Sequence, residues 1–126
     1  MRVMIFAKTT PEYEARTNGP SGSPEMGAAM ARFSAELNAA GVLVSEGALQ
    51  PTSRGVLYRT GGDAAPTVTD GPFTEAKELV AGYWLWQVSS LEEALEWLRR
   101  APFPAGMTLE VRPLLDMPEG ASSATD

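Results

Sequence analysis

The residues best equipped for chemistry stand together near the middle of the chain. Thr67-Val68-Thr69-Asp70-Gly71-Pro72-Phe73-Thr74-Glu75-Ala76-Lys77-Glu78 carries a carboxylate, then a carboxylate, an ammonium and another carboxylate close behind it. Such a set can move protons and can grip a polar ligand. Phe73 would add an apolar contact, which needs a pocket. The same residues also build an ordinary turn. Asp70 can accept from backbone N–H groups ahead of it, and Gly71 can bend. Pro72 has φ preset for a first helical turn, and the charges can face water. Both readings stay open on these residues alone.

What the chain lacks narrows the chemistry. It has no His and no Cys. That excludes disulfides, thiol nucleophiles, imidazole bases, the Ser-His-Asp triad and Cys/His zinc sites. Acid–base work is left to Asp, Glu, Lys and Tyr. No loop shows the ligand spacing of a carboxylate metal site, so no metal and no cofactor is expected. Two further places hold candidates. Glu46 lies inside a strand-like run, where burial would raise its pKa and an edge position would leave it wet. Glu110 and Arg112 share one face of the last strand, a spacing for an ion pair or a ligand grip.

A formal charge of −6 argues against nucleic-acid binding, which needs Lys and Arg against phosphates. No run is long and apolar enough for a membrane span or a signal segment, and a cytoplasmic location is expected. The length of 126 residues suits one domain, expected over 1–116, with a disordered small-residue tail over 117–126.

These residues must be positioned by short elements. Val3 to Ala7 is apolar throughout and reads as a strand covered on both faces. Thr9 to Ser23 reads as a long loop; its length hints at a lid or a binding loop, with Tyr13, Glu14 and Arg16 as its notable side chains, and a plain surface loop is the favoured reading. Ser23 then caps a helix, with Pro24 at its first position and an apolar stripe of Met26, Ala29, Met30, Phe33, Leu37 and Ala40. Gly41 ends it. Strands are expected over 42–49, 54–60 and 66–69, the last two joined at Gly61-Gly62-Asp63. A strand from Gly82 to Val88 follows, with Tyr83, Leu85 and Gln87 on one face and Trp84, Trp86 and Val88 on the other. Ser90 and Glu93 form a capping box ahead of a second helix, whose apolar stripe is Leu91, Ala94, Leu95 and Leu98. Pro102-Phe103-Pro104 breaks that helix, and Thr108 to Leu114 is the last strand. With the middle hairpin as an insertion, the order is β-α-β-β-α-β. That is the α+β, ferredoxin-like pattern: an antiparallel sheet with two helices on one face. The other face, carrying Trp84, Trp86 or their neighbours, would be too apolar to leave wet, which implies a homodimer.

The central run resembles the signature of the YCII-related proteins, in the branch named after its Asp-Gly-Pro-Phe tetrapeptide, here Asp70-Gly71-Pro72-Phe73. The likeness extends to Met1–Phe6, Ala40–Leu43, Glu46–Pro51, Gly82–Trp84, Glu93–Trp97 and Glu110–Pro113. It implies a dimeric α+β barrel, a class that includes enzymes acting on lactones and aromatics. It also implies a His and Asp catalytic pair, in which Asp70 could be the Asp. Without a His that pair is incomplete here. The enzymatic expectation then has Asp70 as general base, its pKa raised by burial beside Phe73 and the Trp residues. Lys77 or Arg112 would stabilise an enolate or carboxylate. Glu46, Phe73, Glu75, Glu78 and Arg112 would contact a small organic ligand in a cavity near Asp70. The alternative is a non-catalytic accessory module, since proteins with this signature are often encoded beside extracytoplasmic-function sigma factors. A sigma factor would then be a partner.

Overall fold

The computed structural model describes residues 1–17 and 23–116. The tail expected over 117–126 lies outside them. In order, the elements are β1 (Arg2–Thr9), α1 (Pro11–Thr17), α2 (Pro24–Ala39), β2 (Leu43–Ala48), β3 (Val56–Arg59), β4 (Thr67–Asp70), β5 (Leu79–Gln87), α3 (Leu91–Arg99) and β6 (Leu109–Pro113). A short 3₁₀ turn over Thr52–Arg54 precedes β3. β2, β5, β1 and β6 form one antiparallel sheet in that order, and β3 pairs only with β4. This is the expected α+β, ferredoxin-like arrangement with an inserted hairpin.

The core lies on one face of the sheet. Strand alternation sends Val3 and Ile5 of β1, and Trp84 and Trp86 of β5, to the same side. There they meet Phe33 and Leu37 of α2 and Ala94 of α3. The rings interlock: Phe33 lies 5.5 Å from Trp84, and Trp84 lies 5.1 Å from Trp86. Such offset aromatic pairs add stabilisation beyond the area they bury. Both Trp residues therefore face the helices, and it is their neighbours that occupy the other face. Leu85 is paired with Met4, and Tyr83 with Phe6.

Local signals account for most element ends. The Ser23 hydroxyl accepts the Met26 N–H at 3.1 Å, capping α2 with Pro24 behind it. At the other end Gly41 has φ 74°, its N–H donates to the Asn38 carbonyl, and the Val42 N–H donates to the Leu37 carbonyl. That pair of bonds is the Schellman closure, which favours a residue without a Cβ at this position. In α3 the Ser90 hydroxyl accepts the Glu93 N–H. The Glu93 carboxylate reaches back one residue further than expected, to the N–H and hydroxyl of Ser89. The Ser89 N–H is the main reason its pKa lies below the usual Glu value.

Several expectations need correcting. The segment read as a loop from Thr9 to Ser23 contains α1. The Thr10 hydroxyl accepts the Tyr13 N–H at 3.1 Å, and Pro11 takes the first helical position. Thr10-Pro11-Glu12 thus repeats the start signal of Ser23-Pro24-Glu25 in a helix too short for an apolar stripe to show. In α3, Leu91 and Leu95 are exposed, and Trp97 with Ala94 and Leu98 faces the core. The bulk of Trp97 decides which side turns inward, and its ring carries the Arg100 guanidinium at 4.1 Å. Ala40 is the exposed C-cap of α2 instead of part of its stripe. No helix follows Pro72; the chain turns through residues 71–78 and enters β5 at Leu79.

Candidate functional site

A cavity of about 1020 Å³ opens between α1, the first turns of α2, the ends of β2 and β5, and the loop over residues 103–107. Its floor is apolar: Ile5 and Trp84 from the sheet, Leu109 from β6 and Phe103 from the loop. The Phe103 ring stands 5.6 Å from that of Trp84. Met26 and Met30 form the wall on the α2 side. The Met part of the α2 stripe therefore faces this space, and Phe33 and Leu37 further along fill the core. Methionine suits such a wall because its unbranched chain adapts to different shapes.

Two carboxylates stand among the lining residues, Glu14 on α1 and Glu46 on β2. Glu46 is exposed on an edge strand, not buried, and accepts from the Ser34 hydroxyl at 2.8 Å and the Trp84 indole N–H at 3.3 Å. Glu14 accepts from the Thr52 hydroxyl.

Thr52 connects this wall to the central turn. Its hydroxyl accepts the Phe73 N–H at 3.1 Å. The Gly71 N–H donates to the Gly55 carbonyl at 2.9 Å, and the Phe73 ring lies against Gly55. Gly71 touches the segment so closely that an added Cβ would fall 1.7 Å from the Thr52 carbonyl oxygen. Residues 71–73 and 52–55 thus form one packed double turn, with a cis bond between Gly71 and Pro72. Position 71 accepts only glycine because the clash is with backbone, which cannot rotate away.

The family model for the YCII-related domain matches residues 1–118. The chain belongs to the YCII-related family. No curated protein matches it. In this YCII-related chain the family match spans the sheet, the helices and the double turn alike.

The residues singled out from the sequence do not come together at one place. Asp70 ends β4 opposite Val56 and is exposed, so the burial expected of a general base is missing. Glu75, Lys77 and Glu78 are exposed on the turn that follows. None of these four, nor Phe73, lies among the residues lining the cavity; Phe73 is half-buried and packs the double turn. Arg112 lies on β6, its Nε 3.7 Å from Glu110, which also takes Lys8 at 3.1 Å. The Glu110 and Arg112 spacing is therefore an ion-pair ladder on the sheet face away from the helices. Of the expected ligand contacts only Glu46 lines the cavity. The length of the segment from Thr9 to Ser23 hints at a binding loop with Tyr13, Glu14 and Arg16 as its notable side chains, and all three line the cavity. Sequence reasoning missed Met26, Met30 and Phe103 as lining residues, because the two Met side chains read as part of a core stripe.

Among the described residues no helix is long and apolar enough to cross a membrane.

Proposed function

We propose that this YCII-related protein binds a small, largely apolar organic molecule in the cavity between α1, α2 and the loop over 103–107. The cavity itself is the observation that carries the reading. Its volume of about 1020 Å³ is at the upper end for small-molecule sites. Its apolar floor and a few polar groups on separate elements are the composition such sites have. The sequence placed the ligand near Asp70; the reading now moves it to the wall of Glu14 and Glu46. An acid–base enzyme acting on a lactone or aromatic would draw its carboxylates from that wall, since Asp70 and Lys77 stand outside the lining.

Trp84 is on the cavity floor, so a bound aromatic should quench indole fluorescence. A thermal-shift panel of lactones, hydroxy acids and phenolics, read together with that quenching, tests the reading. Compounds that stabilise the wild type should lose their effect in Met30→Trp, which fills the space. A panel without any shift or quenching, or shifts that persist in Met30→Trp, would remove the cavity as the site.

The Asp70-Gly71-Pro72-Phe73 tetrapeptide supports placing the chain in the family branch named for it, and a cytoplasmic location fits this reading. A second reading is favoured by the hairpin. Val56, Leu57, Tyr58 and Val68 are all more than half exposed on β3 and β4. An accessory module docking on another protein, an extracytoplasmic-function sigma factor by the family resemblance, would use such a surface. Co-purification lost in Tyr58→Lys and Val68→Lys would support it, and co-purification unaffected by both would exclude the hairpin.

A further inference from the structure

Resting on the cavity as a ligand site, we propose that it selects apolar molecules with a cationic head, that Glu14 recognises the head, and that Thr52 is the positioning residue that aims Glu14. The first ground is charge. The cavity has two carboxylates and two cations among its lining residues. Neither cation is paired with these carboxylates among the described residues: Lys8 pairs with Glu110 at 3.1 Å, and the Arg16 guanidinium lies over the Tyr13 ring at 5.5 Å. The carboxylates have only neutral donors, Thr52 for Glu14, and Ser34 with Trp84 for Glu46. Among the described residues neither takes part in an ion pair. Each carboxylate therefore stands at an apolar space without a direct ion-pair partner. A cationic head at Glu14 would supply that partner, and an anionic one would meet a like charge there.

The second ground is the direction of the hydrogen bonds. A hydroxyl has one proton to give and two lone pairs. The Phe73 N–H can only donate, so it occupies a lone pair of Thr52. The Glu14 carboxylate can only accept, so it takes the Thr52 proton. The hydroxyl thus has a single orientation, fixed by backbone on one side, and it holds one Glu14 oxygen in place. The other oxygen is left for a ligand. The central turn acts on the cavity through this relay, although none of residues 70–73 lines it.

The test uses two fluorescent probes that share an apolar ring: dansylcadaverine, with a free ammonium, and its neutral N-acetyl derivative. The wild type should bind the ammonium form about tenfold more tightly, as expected for a charge-assisted hydrogen bond. Glu14→Gln should abolish the preference and leave the neutral probe unaffected. Thr52→Val should reduce the preference, and Thr52→Ser should restore it. The ratio of the two affinities is taken on the same variant, so a general loss of stability cancels. Equal binding of both probes by the wild type, or a preference that survives Glu14→Gln, overturns the head-group proposal and leaves the cavity standing. A preference untouched by Thr52→Val overturns the relay. If neither probe binds and Met30→Trp alters nothing in the compound panel, the cavity reading falls as well.

Discussion

At the scale of single residues, the central tetrapeptide is divided between packing and exposure. Gly71 has no room for a side chain against the Thr52 carbonyl, and Phe73 seals the turn. Asp70 is exposed one residue earlier. Their substitutions should therefore differ sharply. Gly71→Ala forces backbone apart and should cost about 1–3 kcal/mol, the range for overpacking. Asp70→Asn should change stability by no more than about 0.5 kcal/mol, as surface changes do. Chemical denaturation of the two variants checks both. A larger loss in Asp70→Asn than in Gly71→Ala would show the assignment to be reversed. The residue types were legible from the start, but their partners were not. Nothing in the local sequence says that the glycine needed in the turn is needed because of residue 52, nineteen positions earlier.

At the scale of elements, the caps carry testable energy. Gly41 closes α2 with φ 74°, and Gly41→Ala should cost about 1–2 kcal/mol because an L side chain crowds the following carbonyl there. Thermal melts give that number directly. Glu93 caps α3, and its pKa is lowered in the folded state, chiefly by the Ser89 N–H. A carboxyl with a depressed folded pKa contributes stability above its unfolded value, and loses that contribution as pH falls through the folded value. The wild type should thus lose stability relative to Glu93→Gln on acidification below the ordinary Glu range. A difference between the two that is constant with pH would mean that the Ser89 bonds matter little. Most of this level could be read in advance, because caps are local: Ser23, Gly41 and Ser90 were all found from neighbours in sequence. The exceptions are informative. α1 was missed because seven residues are too few for periodicity, although Thr10-Pro11 marked its start. The inward side of α3 was misjudged because Trp97 outweighs Leu91 and Leu95, and only packing decides between rival stripes.

At the scale of the whole molecule, the aromatic core and the sheet face away from the helices make the sharpest predictions. Trp86 is fully buried, and its indole N–H has no hydrogen-bond partner among the described residues. Trp86→Ala should cost about 3–5 kcal/mol, the usual range for removing a buried aromatic. A smaller loss would mean that the core closes over the gap. The opposite sheet face carries Met4, Phe6, Tyr83 and Leu85, and the expected homodimer would bury it against a second copy. Sedimentation should then show a dimer for the wild type and a monomer for Phe6→Lys, a partly exposed position on this face. A monomeric wild type would end the dimer proposal and leave this face to another cover.

By itself the sequence determined the order of the strands with α2 and α3, the alternation of β5, most of the caps and the family. Each depends on residues near one another in the chain, or on a pattern repeated along it. The absence of His and Cys likewise settled which chemistry was unavailable. The tertiary structure alone decided where the cavity lies, because its walls come from residues as far apart as Glu14, Met30, Trp84 and Phe103. It also decided that the central turn reaches that cavity through Thr52, and that the turn's own charges point to water. Turn charges are set by local backbone, whereas a ligand site is set by which distant surfaces the folded sheet and helices bring face to face.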